Sequence, residues 1–386
     1  MILRYNPTCE LAIRQDRMTY TPPQILAKME SDLAPLMAFL STDGDKIIGS
    51  EPDPGLRGAL LRAGHSAKFI SENEATGLVK RGEALRPWGE SRALFAKFGL
   101  ADKARAWDLR ETLSRKTSVY VENAAQEALG ETSAAAPTIA HEASQLANWG
   151  GQVAIKSLWS AAGRGVRFFS LEAERDAAHA FAEQCVRSDG AVVIERKLDR
   201  IAELSFLFER SSNGVRYLGA NAYRSASGGA FGVEIFGPRS FAEATAVDRD
   251  WEAKYSAVLC SALSKVLVSS PYAGPIGVDA MVYEGQDGRP RLRCCMEVNL
   301  RLCMGNVANQ VKRLLSPEAC GYWRIEKFGG DGEWDAFCAR QEAERPLVYD
   351  SEGLISKGFF RLTSLGRGIR FGACGWAGSP LHQPMA

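Results

Sequence analysis

Asp279 follows Gly277-Val278 in one apolar run of the chain, and Glu297-Val298-Asn299 closes the next. Side chains alternate along a strand, so Glu297 and Asn299 point to one face. If the two runs pair as a hairpin, Asp279 joins them there. Two carboxylates and an amide oxygen are hard donors of the kind magnesium takes, with coordination positions left for phosphates. Ordinary strand-end charges would look the same, so this pattern alone leaves both readings open.

Two further groups precede that pair. Lys156 ends an apolar run before Ser157-Leu158-Trp159-Ser160-Ala161-Ala162-Gly163-Arg164-Gly165. Small residues such as Gly163 and Gly165 let backbone amides approach phosphate oxygens, and Lys156 adds a point charge. The G-x-x-x-x-G-K-[ST] spacing of a P-loop is absent, and a plain hairpin turn is the competing reading. Next, Val192-Val193-Ile194 runs into Glu195-Arg196-Lys197-Leu198, with Glu203 beyond. Such a segment can offer backbone groups and an apolar wall to an adenine, and Glu203 can accept hydrogen bonds from a ribose. An apolar strand meeting a solvated charge run would read alike. His65, His141, His179 and His382 are dispersed without metal or triad spacing, which leaves nucleophilic catalysis by a side chain unsupported.

The order of these groups is more informative than any one of them. Lysine strand, glycine loop, apolar strand ending in Glu, and Asp followed by Glu-x-Asn resemble the ATP-grasp superfamily, which includes D-alanine–D-alanine ligase and biotin carboxylase. The resemblance covers roughly residues 110 to 315. It implies ATP held between two α+β lobes, with magnesium (or manganese) on Asp279, Glu297 and Asn299. By the same resemblance Lys156 looks like the phosphate lysine beside the glycine loop. Glu195, Lys197 and Leu198 look like the hinge around adenine, and Glu203 like the ribose carboxylate. Arg301, in Glu-Val-Asn-Leu-Arg, resembles the arginine placed near the acyl phosphate or acceptor. A second ATP lysine would be Lys116, with Arg115 as the alternative occupant. Asn6-Pro7 and Tyr20-Thr21-Pro22-Pro23 also resemble uncharacterised bacterial members. The sequence departs from many relatives in having Lys156-Ser157 for Lys-Pro and Asn299-Leu300-Arg301 for Asn-Pro-Arg.

The implied activity is a ligase: a substrate carboxylate becomes an acyl phosphate that an amine or another nucleophile attacks. A phosphotransferase or a non-catalytic regulatory ATP binder would share the nucleotide site. The implied partners are small-molecule carboxylates and nucleophiles, with a homodimer left open. Arg224, in the Gly/Ser-rich stretch Tyr223 to Gly232, is a candidate contact for a substrate carboxylate. That stretch has the composition of a mobile lid or of an inert surface loop.

The elements that must hold these residues follow from periodicity. Strands are expected at 153–156, 166–169, 191–194, 203–208, 215–220, 276–283 and 291–298, with Ser211-Ser212-Asn213-Gly214 as a hairpin turn. Residues 171–187 read as a helix. In 252–268, Tyr255, Val258, Leu259, Leu263, Val266 and Leu267 share a helical face. Toward the N terminus, short strands at 2–5, 45–48 and 67–70 alternate with helical patterns, one starting at Thr21-Pro22-Pro23 and ending or kinking at Pro35. Residues 101–129 read as helical, with Ser114 an internal cap. Residues 355–373 read as short strands with Gly-rich turns.

The expected fold is mixed α/β and α+β. A Rossmann-like pre-ATP-grasp domain (1–110) precedes a two-lobed ATP-grasp domain (111–320, divided at 200), and a C-terminal segment (321–386) packs on the core. The length of 386 residues supports two or three domains. A formal charge of +1 gives no reason to expect nucleic acid or an anionic membrane. Nine scattered cysteines without CxxC spacing argue against a disulfide framework or zinc. No apolar stretch has the ~20 residues of a membrane span, and the expected compartment is the reducing cytoplasm.

Overall fold

The computed structural model describes residues 1–130, 136–160, 165–226 and 231–378. Three sheets organise them. The first is parallel: β1 (Ile2–Arg4), β2 (Lys46–Ile48), β3 (Lys68–Ile70) and β4 (Leu85–Pro87), in the order β3-β2-β1-β4. The chain steps outward from β1 through β2 to β3, then returns to the other side of β1 as β4. The order therefore reverses between β1 and β4. Ile2, Leu3 and Ile47 are wholly buried because helices and turns cover the sheet.

The second sheet contains β5 (Thr138–Ala140), β6 (Gln152–Ser157), β7 (Val166–Ser170) and β8 (Val192–Arg196), in the order β5-β8-β6-β7 and antiparallel throughout. The helix Leu171–Asp189 buries Phe181, Ala182 and Cys185 against it.

The third sheet has nine strands. Its members are β9 (Arg200–Ser211), β10 (Gly214–Ser225), β11 (Phe231–Phe236), β12 (Gly274–Glu284), β13 (Pro290–Asn299), β14 (Gly321–Lys327), β15 (Val348–Tyr349), β16 (Ile355–Arg361) and β17 (Phe371–Ala377). They run in the order β13-β12-β9-β10-β11-β14-β17-β16-β15. The helix Trp251–Val266 covers one face through Trp251, Tyr255, Leu259 and Leu263, which join Phe206, Phe208, Val278 and Ala280 in a single apolar cluster.

The expected elements form, with local shifts. The helix expected at Thr21 begins at Gln24 instead, because a residue before proline is driven out of the helical region. It ends at Asp32, and Pro35 falls in a following 3-10 turn (Ala34–Leu40). The helical stretch 101–129 is two helices, Ala101–Ala106 and Arg115–Leu129. Ser114 sits at the N-terminus of the second, but its hydroxyl makes no cap bond. All nine cysteines are free thiols. No helix among the described residues is long and apolar enough to cross a membrane.

Candidate functional site

The hairpin of β12 and β13 is in register with Asp279 opposite Glu297 and Gly277 opposite Asn299. Directly paired residues share a face, so Asp279, Glu297 and Asn299 lie together. Asn299 Nδ2 donates to Asp279 Oδ2 at 3.1 Å, and Arg301 Nη2 donates to Asn299 Oδ1 at 2.8 Å. Burial, and after it the charge of Glu297, pushes the Asp279 carboxyl up to about 7. The pairing continues sideways from Asp279 to Ser205 on β9 and Asn221 on β10. One register step away, Glu203, Tyr223 and Glu234 form a parallel row. Both rows occupy the same sheet face. Glu234 Oε2 and Asn221 Oδ1 are buried without a hydrogen-bond partner, and burial raises the Glu234 carboxyl well above its usual range. This face has an excess of acceptor oxygens over cations, which is what a hard cation would relieve. Among the described residues no three histidine, cysteine, aspartate or glutamate side chains group as a metal site. The fitting donor set is two carboxylates with the Asn299 amide.

β13 lies at the sheet edge, where its outward amides need partners. The helix Arg115–Leu129 supplies them. Val298 N donates to Ser118 Oγ at 2.9 Å, and Cys295 N to Glu122 Oε2 at 2.8 Å. This docking brings Arg115 to Glu297 at 2.8 Å, while the same guanidinium donates to Ser157 O (2.6 Å) and Ser160 Oγ (2.8 Å). Arg115 is thus the cation of the pair that reaches the acidic corner. Lys116 turns to Glu111 at 2.6 Å.

The second sheet faces this edge. Lys156 Nζ pairs with Glu195 Oε1 at 2.6 Å and donates to Met296 O at 3.4 Å. Arg293 pairs with the other Glu195 oxygen at 2.8 Å and approaches Glu122 at 3.6 Å. Burial alone would push the Glu195 carboxyl up, but Arg293 and Lys156 outweigh it and hold it below the usual range. Glu195 therefore spends its side chain inside this network, and only its backbone can serve a hinge. Lys197 is exposed with its ammonium over the Phe168 ring, and half-buried Leu198 follows in the connection to β9. Gly165 has no space for a Cβ, which would come within 2.1 Å of Ser157 Oγ. Gly163 lies outside the described residues, as do Ser227 to Ala230 of the Gly/Ser-rich stretch.

Glu203 accepts from Ser225 N (2.6 Å) and Ser225 Oγ (2.7 Å), and pairs with Arg200 at 2.9 Å. Alternation along β10 places exposed Arg224 on the face opposite Tyr223, and so opposite Asp279. Arg301 reaches the other way as well: its guanidinium pairs with Glu10 at 2.5 Å. Sequence reasoning missed Glu10, Arg293 and Glu122. Arg293 left one signal, a cation inside a strand whose neighbours Leu292 and Cys294 are apolar. Glu10 left none, since 291 residues separate it from Arg301.

Neither a protein-family model nor a curated protein sequence matches the chain. Solved structures do. N5-carboxyaminoimidazole synthetase of Staphylococcus aureus, complexed with ADP, has a TM-score of 0.51 at 12% identity, covering 91% of this chain and 92% of that one. The biotin carboxylase domain of Hydrogenobacter thermophilus 2-oxoglutarate carboxylase, in complex with MgADP, ADP and bicarbonate, reaches 0.53 at 12%, covering 89% and 84%. Campylobacter jejuni biotin carboxylase, in a β-γ-ATP complex, reaches 0.53 at 13%, covering 97% and 86%. At such identities the likeness is one of fold: the chain shares the fold of these three proteins.

Proposed function

We propose that this protein is an ATP-dependent ligase that activates a substrate carboxylate as an acyl phosphate and passes it to an amine or other nucleophile. The observation that carries the reading is the strand-paired corner of Asp279, Glu297 and Asn299 with Arg301 bonded to it. The nucleotide complexes of the fold neighbours support it. The divisions expected from the sequence belong to the same proposal: 1–110 as a substrate-side domain, 111–320 as the nucleotide-binding unit and 321–386 as support for its sheet.

In this reading Asp279, Glu297 and Asn299 hold magnesium, or manganese. A bound divalent cation supplies neutralisation of phosphate charge during transfer. The chain's own groups position the reactants. Arg301 is fixed by Glu10 and Asn299, so its charge is preorganised beside the corner and needs little rearrangement to stabilise a transferring phosphoryl group. Arg115 and Lys156 line the cleft between the second and third sheets and keep positive charge near the triphosphate. A carboxylate oxygen of the substrate forms a bond to the γ-phosphorus as the bond to the β-phosphate oxygen breaks and ADP leaves. The nucleophile then bonds the acyl carbon, inorganic phosphate departs and an amine nucleophile gives up one proton.

The test is thermal unfolding with and without MgATP, followed by ADP and phosphate release across panels of acids and amines. Nucleotide at 100 times its dissociation constant is expected to stabilise the wild type by about 2.7 kcal/mol, with that gain abolished in Glu297→Ala. A well-folded wild type with no stabilisation over a wide MgATP range refutes the reading. ADP release without free phosphate would make the protein a phosphotransferase.

A further inference from the structure

A cavity of about 160 Å³ opens beyond the far side of Arg301, away from Asp279. It has room for roughly five water molecules by liquid volume, which is the scale of a small metabolite. The loop Trp88-Gly89-Glu90, at the carboxyl end of β4, forms one wall. Gly274-Pro275 at the start of β12 and Tyr272 form the facing wall. That loop is fastened at both sides: Leu302 N donates to Trp88 O at 2.9 Å, and Asn6 Nδ2 to Gly89 O at 2.8 Å. Asn6 follows β1, so the loop that walls the cavity is tied to the carboxyl end of β1, while β4 and the loop after it line the cavity itself. The strand order of the parallel sheet reverses there, which is where open α/β sheets take ligands. Pro275 lies four residues before Asp279, on the same face. At a rise of about 3.3 Å per residue, the cavity is roughly 13 Å from the acidic corner, with Arg301 between.

The charges lining the cavity separate into used and unused. Arg301 is paired with Glu10, and Glu209 with Arg216 at 2.9 Å. Arg86 and Glu90 have neither a hydrogen bond nor an ion pair among the described residues, although both are half-buried. Burial raises the Glu90 carboxyl, and the only charge acting against that is Lys103. Arg86 therefore does not neutralise Glu90. Tyr272 lies within the influence of both: burial raises its hydroxyl, Glu90 adds to the rise, and Arg301 and Arg86 oppose it. The cavity thus offers one unspent cation and one unspent carboxylate at separate positions beside the Trp88 ring. A simple acid would leave Glu90 unmatched, and a simple amine would leave Arg86 unmatched.

We infer that this cavity binds a small zwitterion, an α-amino acid, with its carboxylate on Arg86 and its ammonium on Glu90. The inference rests on the ligase reading and narrows the substrate that shares the site with Arg301.

The experiment adds each α-amino acid to the full-length protein with saturating MgATP and records thermal unfolding and ADP release. At least one amino acid is expected to raise the unfolding temperature beyond MgATP alone and to stimulate ADP release. Its decarboxylated amine and its desamino acid are expected to do neither at the same concentration. Glu90→Gln and Arg86→Met should each raise the KM for that amino acid about 10- to 100-fold, the loss of one charge-assisted hydrogen bond, while MgATP still stabilises both variants. That retained stabilisation shows the variants are folded. If MgATP stabilises the wild type but no amino acid adds to it, the amino-acid site is wrong and the ligase reading stands. If MgATP gives no stabilisation, the reading fails and this inference with it. Equal response to the amine or the desamino acid also overturns it.

Discussion

Two charge clusters beside the cleft between the second and third sheets treat charge in opposite ways. In one, Lys156 and Glu195 of the second sheet, Arg293 of β13 and Glu122 of the helix Arg115–Leu129 form a buried set of two cations and two carboxylates, closed by contacts of 2.6, 2.8 and 3.6 Å. Its charges cancel. On the third sheet, Asp279 and Glu297 are opposite each other in register, with Glu203 and Glu234 in the adjoining row, and the Asp279 carboxyl is pushed up to about 7. Among the described residues, Arg115 and the Glu10-bound Arg301 approach Asp279, Glu297 and Asn299, while Arg200 pairs with Glu203 and Lys312 partly offsets Glu234. The lesson is that a buried charge network complete in itself is architecture. One left with excess oxygen is the arrangement on which the proposed cation site rests.

Breaking the first network should have the largest effect. Glu195→Ala leaves Lys156 and Arg293 buried without their shared partner and is expected to lose about 3–5 kcal/mol of stability, read by urea unfolding. An unchanged midpoint would mean that the network is not structural. Asp279→Asn should do the reverse in the absence of ligand: removing a crowded negative charge leaves stability equal or slightly higher, while about 2.7 kcal/mol of MgATP stabilisation disappears. A loss in the apo protein as large as that of Glu195→Ala would erase the distinction between the two clusters.

The contrast has a pH signature. The Asp279 carboxyl is raised from 3.8 to about 7 in the folded state, so its contribution to apo stability is complete below about pH 4 and is lost as pH rises through about 7. Cation binding needs the ionised form. Magnesium-dependent stabilisation should therefore grow from about pH 6 to about pH 8, and a flat profile would contradict the assignment of Asp279. The smallest effect belongs to Lys116. Its ammonium pairs with a Glu111 side chain that is 64% exposed. Lys116→Ala should change stability by less than about 1 kcal/mol and leave MgATP stabilisation intact. Arg115→Ala should reduce that stabilisation, because it removes the contacts to Glu297, Ser157 and Ser160.

Much of this was legible in the residues. Alternation and a polar turn specified the β12–β13 hairpin, and with it the meeting of Asp279, Glu297 and Asn299, because strand pairing is local and its period is two. The Ser211-to-Gly214 turn and the helix Trp251–Val266 were readable for the same reason: short-range rules with strong periodicity. What resisted reading depended on distance along the chain. Whether Arg115 or Lys116 faces the corner is decided by how the helix meets the edge of β13 through Ser118 and Glu122. Glu195 read equally well as a hinge residue or a solvated charge, and only the approach of Lys156 and Arg293 buries it in an ion-pair network. Arg301 could be assigned to the corner from Glu-Val-Asn-Leu-Arg, yet its anchor on Glu10 comes from the opposite end of the chain. The sequence by itself determined the central strands, two of their hairpins and the chemical type of each donor. Only the tertiary structure decided which charges are spent on one another and which, like Arg86, Glu90 and Asp279, stand outside any ion pair among the described residues, because that depends on long-range packing to which no local period is sensitive.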